Sequence, residues 1–244
     1  IRFSAQLDFA IESDTLDAIK NNNRLIRNIS IERIRDELTK ILTSGHPGKF
    51  VLLKDTYLLE HIMPEFCACF ETPQNNPYHL YNVAEHILKA VADIENEEIL
   101  RWTMLLHDIG KPVTRTTDGK GIDHFYGHVE ESVRISDKIL RRLKFSKKST
   151  DIILRLITHH DRLIEPDGRA VRKAVSAVGM DIFEDLLKVK KADNQAQNPE
   201  LCREKLEDLE RIKNIFQGIK AKKECLSIKD LVVNGHDLMA LGYR

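Results

Sequence analysis

His107 and Asp108 stand side by side in the run Leu105-Leu106-His107-Asp108-Ile109-Gly110-Lys111-Pro112. An imidazole and a carboxylate so placed can hold one divalent cation. Such an ion lowers the pKa of water toward neutrality and neutralises phosphate oxygens, so hydrolysis of a phosphate ester is the reaction the pair suits. Further donors of the same kinds surround the doublet: His79 and His86 upstream, His124, His128, His159 and His160 downstream, and Asp193 in Lys191-Ala192-Asp193-Asn194. This is a nitrogen and oxygen set without thiolates, which points to Mn, Fe, Co, Ni or Mg more specifically than to zinc. Lys111, three residues past Asp108, can reach a substrate phosphate, or equally can act as a cation that favours a helix C-terminus. His46, His61 and His236 fall outside the pattern and read as ordinary surface or satisfied core histidines.

The elements that must position these residues are helices. Apolar residues recur at helical spacing, as in Ile31, Ile34, Leu38, Ile41 and Leu42, and again in Leu206, Leu209, Ile212, Phe216 and Ile219. The chain therefore reads as all-α. A helix over Pro77 to Ala92 places His79, Val83, His86 and Ala90 on one face. His107 and Asp108 close the next helix, with Gly110 as a left-handed stop and Pro112 preventing continuation. His124 and His128 open a helix running to about Leu143, and His159 and His160 end one that begins near Ser149. Asp193 follows Ile182, Leu186, Leu187 and Val189 and projects from the core-facing side of its helix. Residues 200–223 form one long charged helix. The stretch Thr72-Pro73-Gln74-Asn75-Asn76-Pro77 carries two prolines and three amides, the composition of a linker.

Composition bounds the function. The chain has 244 residues, 42% hydrophobic and 31% charged, with 38 Lys and Arg against 38 Asp and Glu. That length supports one large domain or two smaller ones, and a zero net charge leaves any nucleic-acid contact to local patches. No apolar run approaches the roughly 18 to 20 residues of a membrane span, and nothing at the N-terminus reads as an export signal. Cys67, Cys69, Cys202 and Cys225 lack zinc-ribbon or disulfide spacing, so reduced thiols and a cytoplasmic location are expected.

The order of a His, then His-Asp, then a distant Asp resembles the HD-domain metal-dependent phosphohydrolases. That resemblance implies His86, His107, Asp108 and Asp193 as the four metal ligands, with Asp108 and Lys111 carrying catalysis. His128 with one or both of His159 and His160 would complete a second metal position, as in binuclear members. His79 and His124 would orient ligands or face substrate. One or two divalent ions are thus expected.

Other segments resemble the bacterial CCA-adding tRNA nucleotidyltransferases and their poly(A) polymerase relatives. They are Ile1-Arg2-Phe3 through Phe9, Thr15-Leu16-Asp17-Ala18-Ile19, Ser30-Ile31-Glu32-Arg33, Asn76-Pro77-Tyr78-His79-Leu80-Tyr81-Asn82-Val83-Ala84-Glu85-His86 and Val232-Val233-Asn234-Gly235-His236-Asp237-Leu238-Met239. The resemblance implies a helical neck and body over 1–75, an HD bundle over 76–220 and the start of a short helical tail over 221–244. The family's Gly-Gly-x-Arg loop and Asp-x-Asp pair do not occur, so the chain reads as a part lacking the polymerase head and should not add CCA alone. Arg2 would be a solvated charge. The implied partners are tRNA or an RNA 3′ end and nucleotide phosphates. Local basic candidates are Arg24, Arg27, Arg33 and Arg35, then Arg141, Arg142, Lys144, Lys147 and Lys148, then Lys220 to Lys223, each equally readable as a solvated face paired with acids. Two other readings remain: a tRNA-binding module whose HD fold is architecture, and a free-standing HD nucleotide hydrolase.

Overall fold

The computed structural model describes residues 1–222, 239, 240 and 242, and among them it contains fourteen α-helices and one two-stranded hairpin. The first six helices are α1 (Arg2–Leu7), α2 (Ser13–Asn21), α3 (Ile31–Leu42), α4 (Val51–Asp55), α5 (Leu59–Ile62) and α6 (Pro64–Phe70). There follow α7 (Val83–Asp93), α8 (Glu98–Leu106), α9 (Lys111–Thr114), β1 (Thr116–Thr117), β2 (Asp123–His124) and α10 (His128–Arg142). The described part is completed by α11 (Lys147–His159), α12 (Gly168–Val178), α13 (Phe183–Gln195) and α14 (Pro199–Ala221). The all-α reading holds. The Val232 to Leu238 segment, Cys225 and Lys223 lie outside the described residues.

Helix α8 is the centre of the bundle. Leu100 through Leu106 are all buried, and α3, α7, α11 and α13 pack around it. A helix buried all round belongs to the core, and its one buried cation, Arg101, is satisfied by the carbonyls of Val91 and Glu95. Its one aromatic, Trp102, is fully buried, meets Phe145 edge-on at 5.0 Å and donates Nε1–H to Thr39 Oγ1 at 2.9 Å. That bond fastens α3 to α8. Arg142 adds a bidentate pair to Glu65 at 2.7 and 2.8 Å, and Lys144 reaches Glu32 at 2.6 Å.

Four local expectations are corrected. The helix bearing His86 begins at Val83 rather than Pro77, because Asn82 accepts from the Glu85 amide while the Glu85 side chain accepts from the Asn82 amide. His79 consequently sits in the preceding turn. Gly110 is not a left-handed stop, since its φ is −82°. It is required by proximity: a Cβ there would lie 2.5 Å from His128 O and from Ser132 N, so only glycine lets the end of α8 meet α10. His124 is in β2 rather than a helix, because Asp118 accepts from the amides of Lys120 and Ile122 and turns the chain into a hairpin. Helix α11 starts at Lys147, capped by Ser146.

The stretch read as a linker is tied on both sides. Thr72 O accepts from Val83 N at 3.0 Å, and Asn75 exchanges two bonds with Asp123, backbone to backbone and amide to carboxylate, each 2.9 Å. Of its residues, Asn76 lines the cleft described next.

Candidate metal centre

Five helices deliver the donors. His86 comes from the first turn of α7, His107 and Asp108 from just past α8, His128 from the start of α10, His160 from just past α11 and Asp193 from the last turn of α13. Rigid helix ends are suitable platforms for metal ligands, because their positions are set by core packing rather than by loop conformation.

Asp108 stands between two groups. Its Oδ2 lies 3.4 Å from His86 Nε2 and 3.2 Å from His107 Nε2, and Asp193 Oδ1 lies 3.0 and 3.6 Å from the same two nitrogens. Its Oδ1 lies 3.5 Å from His128 Nε2 and 3.7 Å from His160 Nε2. In the group His86, His107, Asp108, Asp193, and in the group Asp108, His128, His160, the donor atoms all fall within 4.8 Å of one another. His159, by contrast, joins neither.

The imidazoles are oriented for ligation. Nδ1 of His107 and of His160 donates at 2.7 Å to the carbonyls of Met104 and Ile157, His128 Nδ1 donates at 2.9 Å to Phe125, and His86 Nδ1 donates at 3.4 Å to Ala196. Each ring thereby turns its Nε2 inward, as the nitrogen whose lone pair a cation could take in place of a proton. Nε2 of His86 and of His107 are buried and make no well-formed hydrogen bond, although both face the Asp108 and Asp193 carboxylates. Buried polar nitrogens without a well-formed hydrogen bond are costly, and a shared cation would satisfy both. The residues present therefore fit a divalent ion.

Electrostatics agree. Burial pushes His107 down and Asp108 up, but their mutual pairing wins: His107 is raised to about 10 and Asp108 is held well below the usual carboxylate range. His86 is likewise raised against its burial by Asp108 and Asp193, and Asp193 is lowered by His107 and His86. His79 goes the other way. Burial, with Lys111 and His86 nearby, lowers it to about 3, so it remains neutral against the His86 ring at 5.3 Å.

Lys111 opens α9 instead of closing a helix, so its reading as a C-terminal cation is set aside. Its Nζ, buried, donates to Asp108 Oδ2 at 2.7 Å and to Gln74 Oε1 at 2.8 Å. Asp108 and Lys111 line a cleft of about 590 Å³ whose walls include Asn76, His79, His124, Tyr126, Arg162 and Lys205. Sequence reasoning missed Gln74 and Gln197. Gln197 donates to Asp193 Oδ2 at 3.3 Å and accepts from Lys205 at 3.4 Å. Neither carries a motif signal, since each acts on a partner that only the fold brings near.

Six of the described basic candidates are engaged. Arg35, Arg141, Arg142, Lys144 and Lys220 pair with acids, and Arg27 donates to His61. Arg2 pairs with Glu37 and stacks on Phe3 rather than being merely solvated.

Comparison with known proteins places these features in a lineage. Residues 8–70 match the family described as "Probable RNA and SrmB- binding site of polymerase A", and residues 78–213 match the HD domain. The A-adding tRNA nucleotidyltransferase of Deinococcus radiodurans is 29% identical over 80% of this chain and 47% of its own length. The CC-adding tRNA nucleotidyltransferase of Thermus thermophilus is 28% identical over 99% of this chain and 56% of its own length. The chain thus spans about half the length of these curated relatives. The crystal structure of the Bacillus stearothermophilus CCA-adding enzyme in complex with CTP shares the fold, with a TM-score of 0.58 and 21% identity over all of this chain and 50% of the other. With its HD match covering more than half of its residues, and relatives of this kind along its length, the chain belongs to the HD-domain family and is related to the bacterial tRNA nucleotidyltransferases.

Proposed function

We propose that the cleft is a divalent-metal phosphohydrolase site for phosphomonoesters or cyclic phosphates of nucleotides and RNA 3′ ends. The chain around it would be the neck, body and HD part of a cytoplasmic tRNA nucleotidyltransferase, which supports CCA addition or repair only within a longer protein. The observation that carries the reading is the pair of donor groups sharing Asp108, with the Nε2 atoms of His86 and His107 buried at its centre without a well-formed hydrogen bond. His86, His107, Asp108 and Asp193 would hold one ion, and Asp108, His128 and His160 a second. Bound there, a divalent ion would supply Lewis-acid polarisation of phosphate oxygens and an acidified water.

The chain's own groups set the rest. Lys111 holds Asp108 in place and adds a positive charge to the cleft floor, where a phosphate would arrive. The carbonyls of Met104, Ile157 and Phe125 hold the Nδ1 protons, so that Nε2 would be the nitrogen to meet the ion. Asp108→Ala should abolish both metal retention, read by plasma mass spectrometry, and hydrolysis of 2′,3′-cyclic nucleotides and 3′-phosphomonoesters. Undiminished hydrolysis after exhaustive chelation would overturn the reading. A second reading, an RNA-binding module whose HD fold is architecture, is favoured by the match of residues 8–70 to the RNA-binding family. Salt-sensitive tRNA binding without hydrolysis under any divalent ion would select it.

A further inference from the structure

Tyr126 presents a large aromatic ring to solvent, 78% exposed, on the wall of the cleft. The hydrolytic reading does not use it. Its other side is occupied: the His124 ring lies parallel to it at 5° with centroids 5.4 Å apart, the offset stack that aromatic pairs prefer. The Tyr126 hydroxyl is 3.4 Å from His124 Nδ1, and His124 Nε2 is 3.2 Å from Asp118 Oδ2. Asp118 in turn accepts from the amides of Lys120 and Ile122 at 2.8 and 3.0 Å. The hairpin therefore holds a ring pair in one orientation before any ligand arrives, and one open aromatic face remains.

The position of that face relative to the donors is fixed by two residues of chain. Gly127 has φ 78°, a left-handed conformation that glycine adopts without strain, and it turns the backbone directly into α10 at His128. A platform and a phosphate-directed donor thus sit two residues apart. On the same cleft, Lys205 lies 4.8 Å over the Tyr78 ring.

We propose that the Tyr126–His124 stack is a nucleobase-binding platform, which makes the ligand of this cleft a nucleotide or a terminal RNA residue rather than a sugar phosphate without a base. The inference rests on the phosphate-directed reading of the donor groups and adds to it a subsite for the base. Every base has a π-face, so stacking tolerates sequence, as an RNA end of varied identity requires. A ring held rigid in advance also binds with less loss of freedom than a mobile one.

The test is calorimetric binding of the non-hydrolysable phosphonate analogue of adenosine 3′-monophosphate and of inorganic phosphate to the chain in Mn²⁺, for the unaltered protein, Tyr126→Ala and Tyr126→Phe. The unaltered protein should prefer the nucleotide. Tyr126→Ala should reduce that preference by about ten- to a hundred-fold, the range of one lost base stack, and Tyr126→Phe should keep most of it. The proposal is overturned if the unaltered protein does not discriminate, or if Tyr126→Ala weakens both ligands by the same factor. Thermal melts of each variant separate a lost platform from a lost fold. Binding is read apart from turnover, so a protein that discriminates but never hydrolyses adenosine 3′-monophosphate would sink the hydrolase reading and leave the platform standing.

Discussion

Asp108 has the most demanding position in the molecule, because each of its two oxygens faces a different pair of imidazoles. The two donor groups can therefore be separated by substitution. His160→Ala should lower the bound metal by about one ion per chain while the His86 group still binds. His159→Ala should lower it less, since that ring joins neither group. Stoichiometry by plasma mass spectrometry, with equal loss in the two variants as the contrary result, decides the point. Gly110 makes a second residue-scale prediction. Adding one methyl would press a Cβ into the α10 backbone at 2.5 Å, where nothing flexible can yield. Gly110→Ala should cost about 1–3 kcal/mol or more of stability, visible as a lower denaturation midpoint in urea.

At the scale of elements, α7 shows how local chemistry supports the centre. The capping box of Asn82 and Glu85 starts the helix one turn before His86, so the cap sets where that ring points. Asn82→Ala should destabilise by about 1 kcal/mol and weaken metal affinity, whereas an exposed change far from the cap, such as Lys213→Ala on α14, should do neither. Titration of Mn²⁺ into both variants checks this. The grouping of His86, His107, Asp108 and Asp193 was legible in sequence because their order is carried by helix ends, which capping residues and apolar spacing mark well. His124 was not placed, because the hairpin rests on Asp118 folding back on two amides, a turn of few residues with no periodicity to announce it. The Thr72–Pro77 stretch had the composition of a linker, yet Gln74 and Asn75 bond to Lys111 and Asp123, 37 and 48 residues further on. Such long-range partners leave no trace in local sequence.

At the scale of the whole molecule, one apolar core runs from Ala5 to Ile219 and encloses a cluster of ionisable groups, so folding and ion binding must be linked. In the metal-free protein, His107 is raised to about 10 from 6.5, while Asp108 and Asp193 are held below 3.8. A raised histidine stabilises the fold fully below 6.5 and loses that contribution as pH rises toward about 10. The depressed carboxylates contribute above 3.8 and lose it as pH falls through their lower folded values. Stability without metal should therefore peak on the mildly acidic side and decline above pH 6.5. A cation reverses this trend, because it competes with the proton for the same Nε2 lone pair and binds better as that proton leaves. The rise in Tm produced by Mn²⁺ should accordingly grow as pH increases from 6.5 toward 10, before hydroxide precipitation intervenes. Melting curves with and without Mn²⁺ across that window test it. A metal-induced shift that stayed flat with pH would mean that the ion does not displace a proton from His107, and the ligand assignment would fail with it.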